Sequence, residues 1–469
     1  MIADLKPYPE YKESGSKWLG AVPVTWVVRN LRTLISKRVE RNRVDLPLLS
    51  VAREKGVFVR SLIDADENHN VIPEDLSNYK VAHAGNLVIN KMKAWQGSMG
   101  IAPCDGIVSP AYFVFDFRIE DHAFGQRLLR SKPYVAHFAQ ASDGVRVGQW
   151  DLSIPGMRQI PVLVPPPDEQ TAIVRFLDWA NGRLERAIRA KRKVIGLLNE
   201  QKEAIIRRTV TRGLDPSVPV KPSGIAWLGD IPQNWEVKPL KRLIANGTTI
   251  SYGIVQPGDH AEGGVAFLQT TNISKPQLHA QSLQRTTEAI AAAYPRTQLK
   301  AGDVILGIRA SIGAAHVVPQ ELAGVNLSRG IARIVPSADV SPEYLVQFLR
   351  SRASGSYWEY ARQGTTFNEV AISAVRELPV VVPPAREQAA LVSRTQEMCG
   401  PSDTAICRLN REIELLREYR SRLVEDVVTG KLNVREAAAR LPDEAPLDSV
   451  EDAPDVSDET EAADEEATA

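Results

Sequence analysis

Trp18-Leu19-Gly20-Ala21-Val22-Pro23-Val24-Thr25-Trp26 returns 209 positions later as Trp227-Leu228-Gly229-Asp230-Ile231-Pro232-Gln233-Asn234-Trp235. Across 11–36 against 220–245, 12 of 26 positions are identical without a gap. Val164-Pro165-Pro166-Pro167-Asp168-Glu169-Gln170 likewise answers to Val382-Pro383-Pro384-Ala385-Arg386-Glu387-Gln388, now 218 apart. A period above 200 residues is too long for a solenoid repeat, so the chain holds a duplicated domain.

Each copy reads as an arm, a middle, a proline doublet and a helical segment. The middles, 27–148 and 236–366, share little, and the change of offset from 209 to 218 puts nine extra residues in the second. Two echoes survive. Ala84-Gly85-Asn86-Leu87-Val88-Ile89 beside Ala301-Gly302-Asp303-Val304-Ile305-Leu306 reads as a turn feeding a buried strand. Arg158-Gln159-Ile160-Pro161 beside Arg376-Glu377-Leu378-Pro379 closes each middle. A common scaffold carrying two different surfaces suits a protein that reads two different things.

The helical segments carry heptad seams. In the first, Ile173, Ala180, Ala187 and Val194 fall in one register, with Leu177, Leu184, Leu198 and Ile205 in the other. Leu409, Ile413, Leu416, Leu423 and Val427 form the seam of the second. Gly400-Pro401 should break the second helix, because proline lacks the N–H and clashes with the preceding turn. Asn181-Gly182 occupies the matching place in the first. The expectation is a short helix and then one of about 28 residues, roughly 42 Å long. Antiparallel pairing of the two long helices would give a rod with one domain at each end and an approximate two-fold axis.

The formal charge of zero conceals an uneven distribution. Residues 442–469 hold twelve Asp/Glu and no Lys/Arg, so the remainder has 57 basic against 45 acidic residues. A basic body permits nucleic-acid binding, while the acidic end reads as a disordered tail. Cys104, Cys399 and Cys407 are too few and scattered for a disulfide framework, which fits a reducing cytoplasm. The start lacks a signal-peptide core, and no run approaches a membrane span.

Catalytic signatures are missing. There is no phosphate-binding G-x-x-x-x-G-K-[ST] loop, no G-x-G-x-x-G behind a strand, no H-E-x-x-H and no G-x-S-x-G. The proline runs follow Val164 and Val382, so the Asn/Asp-Pro-Pro-aromatic motif of adenine methyltransferases is also missing. The seven histidines are isolated, and no Cys/His cluster has zinc spacing. The chain reads as non-catalytic and metal-free.

Over about 11–435 the chain resembles the specificity subunit of Type I restriction-modification systems. The doubled Trp-Leu-Gly-x-x-Pro-x-x-Trp arm and the doubled Pro-Pro-x-x-Glu-Gln carry the likeness. So do the helix ends Thr209-Val210-Thr211-Arg212-Gly213-Leu214 and Val428-Thr429-Gly430-Lys431-Leu432. The resemblance implies an α+β fold: two target recognition domains separated by a pair of long antiparallel coiled-coil helices, with pseudo-two-fold internal symmetry. It assigns 1–165 to an arm and first recognition domain and 166–213 to a spacer helix. The second recognition domain is 214–382, the second spacer helix 383–435 and the acidic tail 436–469. It implies double-stranded DNA as ligand, with two methyltransferase subunits docked on the helices and restriction subunits recruited through them. S-adenosylmethionine, ATP and Mg²⁺ would then belong to those partners, and this chain would bind no cofactor. The acidic tail is a departure from the family pattern. A duplicated scaffold joining two protein partners without nucleic acid is the competing reading.

Candidate DNA contacts follow from residue chemistry, since Arg and Lys bond guanine or phosphate while Asn and Gln bond adenine. In copy one they are Lys91, Lys93, Trp95 and Gln96, then Arg146 and Gln149. In copy two they are Arg309 and Ser311, then Arg329, Arg362, Gln363, Thr365 and Asn368. Lys91 and Arg309 lead because their loops correspond. The repeated tryptophans read as core anchors rather than stacking platforms.

Overall fold

Two antiparallel sheets of the same order account for the repeat. A computed structural model describes residues 5–60, 75–144, 150–275, 277–281, 283–363 and 369–442. It divides into two compact units: the described residues of Met1–Ala190 with Glu412–Ala469, and those of Lys191–Arg411.

In the first unit the sheet order is Ile35–Lys37, Tyr112–Phe117, Leu87–Asn90, Met99–Ile101, every pair antiparallel. In the second it is Ser251–Tyr252, Ile331–Ile334, Val304–Gly307, Ala315–Val317, again all antiparallel. The expected strands at 87 and 304 therefore hold equivalent central places. Leu87, Val88 and Ile89 are fully buried, as are Val304, Ile305 and Leu306. Such continuous apolar runs mark strands covered on both faces. The satellites differ. Unit one adds the hairpin Leu49–Ala52/Gly56–Val59, whereas unit two adds a three-stranded sheet of Gln284–Thr286, Val265–Leu268 and Asn326–Leu327.

Each middle closes as its sequence suggests. Pro161–Val164 pairs with Val27–Asn30, and Pro379–Val382 with Glu236–Pro239, so the strand before each proline doublet returns to the end of the arm. The Glu-Gln dipeptides then lock the first helical turn. Gln170 donates to Pro165 O at 2.8 Å and accepts from the Asp121 N–H at 3.0 Å. Gln388 repeats both bonds, donating to Pro383 O at 3.0 Å and accepting from the Ser341 N–H at 2.7 Å. Asp121 and Ser341 are themselves the side-chain caps of the helices His122–Leu129 and Pro342–Leu349. One glutamine in each unit thus joins two helix starts whose N–H groups need partners.

The long helices correct one expectation. They run unbroken as Pro167–Arg212, 46 residues, and Ala385–Val428, 44 residues with Pro401 inside. Pro401 is exposed while its neighbours Cys399 and Ser402 are buried. The carbonyl it deprives of a donor therefore faces water, and the buried seam on the other side keeps the helix intact. At Asn181-Gly182 the cost of a helical glycine, about 1 kcal/mol, is outweighed by burial of Ala180 and Leu184 on either side. The seam also fades where heptads placed it, for Val194 is 44% exposed.

Antiparallel pairing holds within each unit. In unit one Trp26 touches the start of the first helix at Glu169, and Gly430 just past the end of the second. Further along, Arg420 pairs with Glu185. In unit two Trp235 lies between Glu387 and Gly213, and Lys202 pairs with Asp403. Each glycine has positive φ, +78° and +73°, and an added Cβ would come within 3.1 Å of the indole. Folded chain also extends past the expected tail boundary at 436. The helix Arg435–Ala439 buries Ala437 and Ala438 in the core of unit one, and Arg175 donates to Leu441 O at 2.9 Å. The acidic stretch from 443 lies outside the described residues.

Candidate nucleic-acid interface

One end of each four-stranded sheet gathers the exposed polar side chains. In unit one it is the end where Leu87–Asn90 finishes and Tyr112–Phe117 begins. Asn90, 5% exposed, turns the chain there: its Oδ1 accepts from the Met92 N–H at 3.2 Å, and its carbonyl from the Lys93 N–H at 3.2 Å. A 3-10 turn over Ala94–Gln96 follows, and Gly97 at φ +88° reverses the chain into the next strand. This compact loop presents Lys91, Lys93, Trp95 and Gln96 together.

The loop is tied to the segment after 149. Leu152 donates its N–H to Lys91 O at 2.9 Å, and Lys91 Nζ meets Asp151 Oδ2 at 2.6 Å. Trp95 donates to Met92 O at 3.0 Å and stands edge-on to Trp150, with centroids 5.5 Å apart. Trp95 and Gln96 are half-buried, while Lys93 is exposed. Arg146 and Gln149 lie outside the described residues.

Unit two builds the same end from other residues. Val304–Gly307 finishes, Ile308 donates to Gly330 O at 2.9 Å, and Ala310 takes φ +57°, a left-handed conformation uncommon without glycine. Ser311 donates its N–H back to Arg309 O at 2.7 Å, closing a tight turn. The result is a cleft of about 310 Å³ lined by Ile254, Val255, Thr270, Arg309, Ser328 and Arg329. Ser311 Oγ lies 3.4 Å from Thr270 O. Val370 donates to Ile308 O at 2.8 Å, the counterpart of the Leu152 bond to Lys91. Glu369 therefore stands where Asp151 does, and its Oε2 is 3.6 Å from an Arg329 guanidinium nitrogen. Arg362 is exposed on the short strand Arg362–Gln363, which pairs with Glu369–Val370. The side chain of Gln363 and the whole of Thr365 and Asn368 lie outside the described residues.

The structure thus brings the described candidates of each copy to equivalent sheet ends. Sequence reading missed Asp151 and Glu369, the carboxylates that partner Lys91 and Arg329. Nothing local marks them, because their partners are 60 and 40 positions away. The arrangement offers charge, amides and a planar surface, the groups that hold phosphates and read base edges. Among the described residues no group of three His, Cys, Asp or Glu could hold a metal ion, and no helix is long and apolar enough to cross a membrane. The repeated tryptophans are not part of this surface: Trp26 and Trp235 are 0% and 2% exposed in the cores, and Trp18 and Trp227 pack half-buried against them.

No family model matches the chain. Its curated relatives are specificity subunits of type I restriction enzymes. The putative MjaX subunit of Methanocaldococcus jannaschii is 21% identical over 456 residues, 91% of this chain and 98% of its own length. The Escherichia coli EcoBI subunit is 21% identical over 277 residues, 58% of each chain. The M. jannaschii MjaVIII subunit is 23% identical over 283 residues, 59% of this chain and 63% of its own length. These last two matches thus span less than two thirds of the relatives concerned. A solved chain described as the structural basis of complex assembly and conformational transition of the type I R-M system shares the fold. Its TM-score is 0.60 at 14% identity, over 88% of this chain and 99% of that one.

Proposed function

We propose, from its homology to type I restriction-enzyme specificity subunits, that this chain is the DNA-reading subunit of such a system. It recognises a split target, one half-site through each unit, and is itself non-catalytic. The observation that carries the reading is the pair of equivalent sheet ends, each furnished with a different set of cations and polar side chains. One such surface discriminates weakly, since each base pair contributes about 1–3 kcal/mol. Two surfaces on one chain add their discrimination, and the second engagement becomes intramolecular.

Methyltransferase subunits, two in number, dock on the paired helices and recruit restriction subunits in turn. S-adenosylmethionine serves adenine methylation on the former, and ATP with Mg²⁺ serves translocation and cutting on the latter. The complex acts in the cytoplasm, where the DNA is. A scaffold without nucleic acid is not favoured, because the curated relatives are specificity subunits of restriction enzymes.

A gel shift with mixed genomic DNA at low salt, with and without the cognate methyltransferase subunit, tests the reading. Binding competed by one bipartite sequence is the expected result. Failure to bind in every combination would remove it.

A further inference from the structure

The sheet end of unit one carries more positive charge than its loop at 91–96 supplies. The strand Ile35–Lys37 runs towards that end, with Lys37 opposite Phe115. The chain continues through Arg38, whose N–H donates to Val114 O at 3.0 Å, to Arg41, which bridges to Lys80. Lys80 Nζ donates to Tyr112 O at 2.5 Å and sits 6.0 Å from the Phe113 ring. Lys37, Arg41 and Lys80 therefore join Lys91 around the start of one central strand.

The acids nearby are already engaged. Asp116 meets Arg38 at 2.9 Å, Glu40 and Asp105 both meet His83 at 3.0 Å, and Asp151 meets Lys91. Among the described residues no carboxylate lies within ion-pair distance of Lys37, Arg41 or Lys80. Burial, and then Lys37, Arg41 and Lys91, push the Lys80 ammonium below the usual lysine range. Like charges gathered without a counter-charge cost stability, and a bound polyanion relieves that cost.

Unit two supplies an independent comparison. Its strand Ser251–Tyr252 leads to Ile254, which forms a parallel bridge to Ser328, and the cleft there holds Arg309 and Arg329. The two middles share almost no residues at these positions, so inherited sequence does not explain why both ends are basic. A common ligand does.

We infer that Lys37, Arg41 and Lys80 hold DNA backbone phosphates beside the half-site read by unit one, setting affinity without setting sequence. This rests on the DNA-reading function proposed above. Phosphate contacts fix register and orientation and carry no sequence information. They reveal themselves by counterion release: each lost contact lowers the slope of log K against log salt by about 0.9.

The test uses the full chain assembled with its methyltransferase subunit and a cognate duplex, titrated across salt concentrations. Lys37→Gln and Arg41→Gln are both exposed positions, and Arg440→Gln serves as a remote control. Each of the first two is expected to reduce the slope by about 0.9 and the double variant by about twice that. The preferred sequence should stay unchanged, and the control should match the parent. An unchanged slope in both variants, with parental binding intact, overturns the clamp and leaves the DNA-reading function standing. A changed half-site sequence also overturns it, since these residues would then be reading bases. A parental complex that bound no DNA would overturn the DNA-reading function and the clamp together.

Discussion

The indole nitrogen of Trp26 donates to Glu169 Oε1 across 3.0 Å, joining the last residue of the arm to the glutamate of Pro-Pro-x-x-Glu-Gln 143 positions on. Trp235 and Glu387 make the same bond at 3.0 Å in the second unit. The two motifs of the repeat are therefore the two halves of one contact. Fixing the arm against the first turn of a long helix is what the duplication preserves.

Glu169 is 4% exposed and also accepts from the Tyr8 hydroxyl at 2.5 Å. Burial, and then this bond to Glu169, push the Tyr8 phenol well above its usual range. Glu169→Ala should strand both donors and cost about 2–3 kcal/mol. Glu387→Ala should cost about half as much, roughly 1–1.5 kcal/mol, because Glu387 is only half-buried. Denaturant midpoints of the two variants check the order; equal losses would contradict it.

Asp303 lies in the turn that feeds the Val304–Gly307 strand. Its Oδ2 accepts from Arg333 Nε and from the Lys300 N–H, each at 2.7 Å, with both side chains largely buried. Asp303→Ala leaves a buried guanidinium unpaired and should cost about 3 kcal/mol. Hydrogen exchange should show the loss in the core of unit two, with unit one protected as before. A cost below about 1 kcal/mol would mean that water already solvates the pair.

His83 sits between Glu40 and Asp105, and its hydrogen bonds to Glu40 first and Asp105 second hold its pKa above the ordinary value. A raised folded pKa gives stability that is complete below about 6.5 and fades as pH rises through the raised value. The parent chain should therefore lose more stability between about pH 6 and pH 8 than His83→Gln does. Denaturation midpoints at the two pH values measure this, and parallel losses would exclude His83 as the titrating group.

Pro401 interrupts the hydrogen bonding of a helix that nevertheless continues. Pro401→Ala restores a donor to the Glu397 carbonyl and removes the ring clash. Against the extra chain entropy of the unfolded state, the gain should be about 1–2 kcal/mol. A destabilised variant would show that the proline ring itself is needed for packing.

The sequence made the scaffold legible because the scaffold is what repeats. The strands at 87 and 304, the segments at 158–161 and 376–379 that close each middle, and the arm tryptophans as core anchors all follow from matched residues in two copies. The helix interior was misread for a physical reason. Local rules set proline and glycine against a helix, but burial of Ala180, Leu184, Cys399 and Ser402 outweighs those penalties. In the candidate site the loops at 91 and 309 were visible as cations after buried strands. Asp151, Glu369, Lys37, Arg41 and Lys80 were not, since pairing across the sheet brings them there from distant positions and no local spacing marks them.

The most direct measurement is the adenine-methylation motif written in cells that express this chain with the methyltransferase subunit proposed above. It should be compared with a variant whose residues 27–148 are exchanged for another such middle. A bipartite motif is predicted for the parent. In the variant one half should be replaced, while the other half and the spacing persist. A motif changed in both halves, or one undivided from the start, would contradict two independent reading surfaces on a shared scaffold.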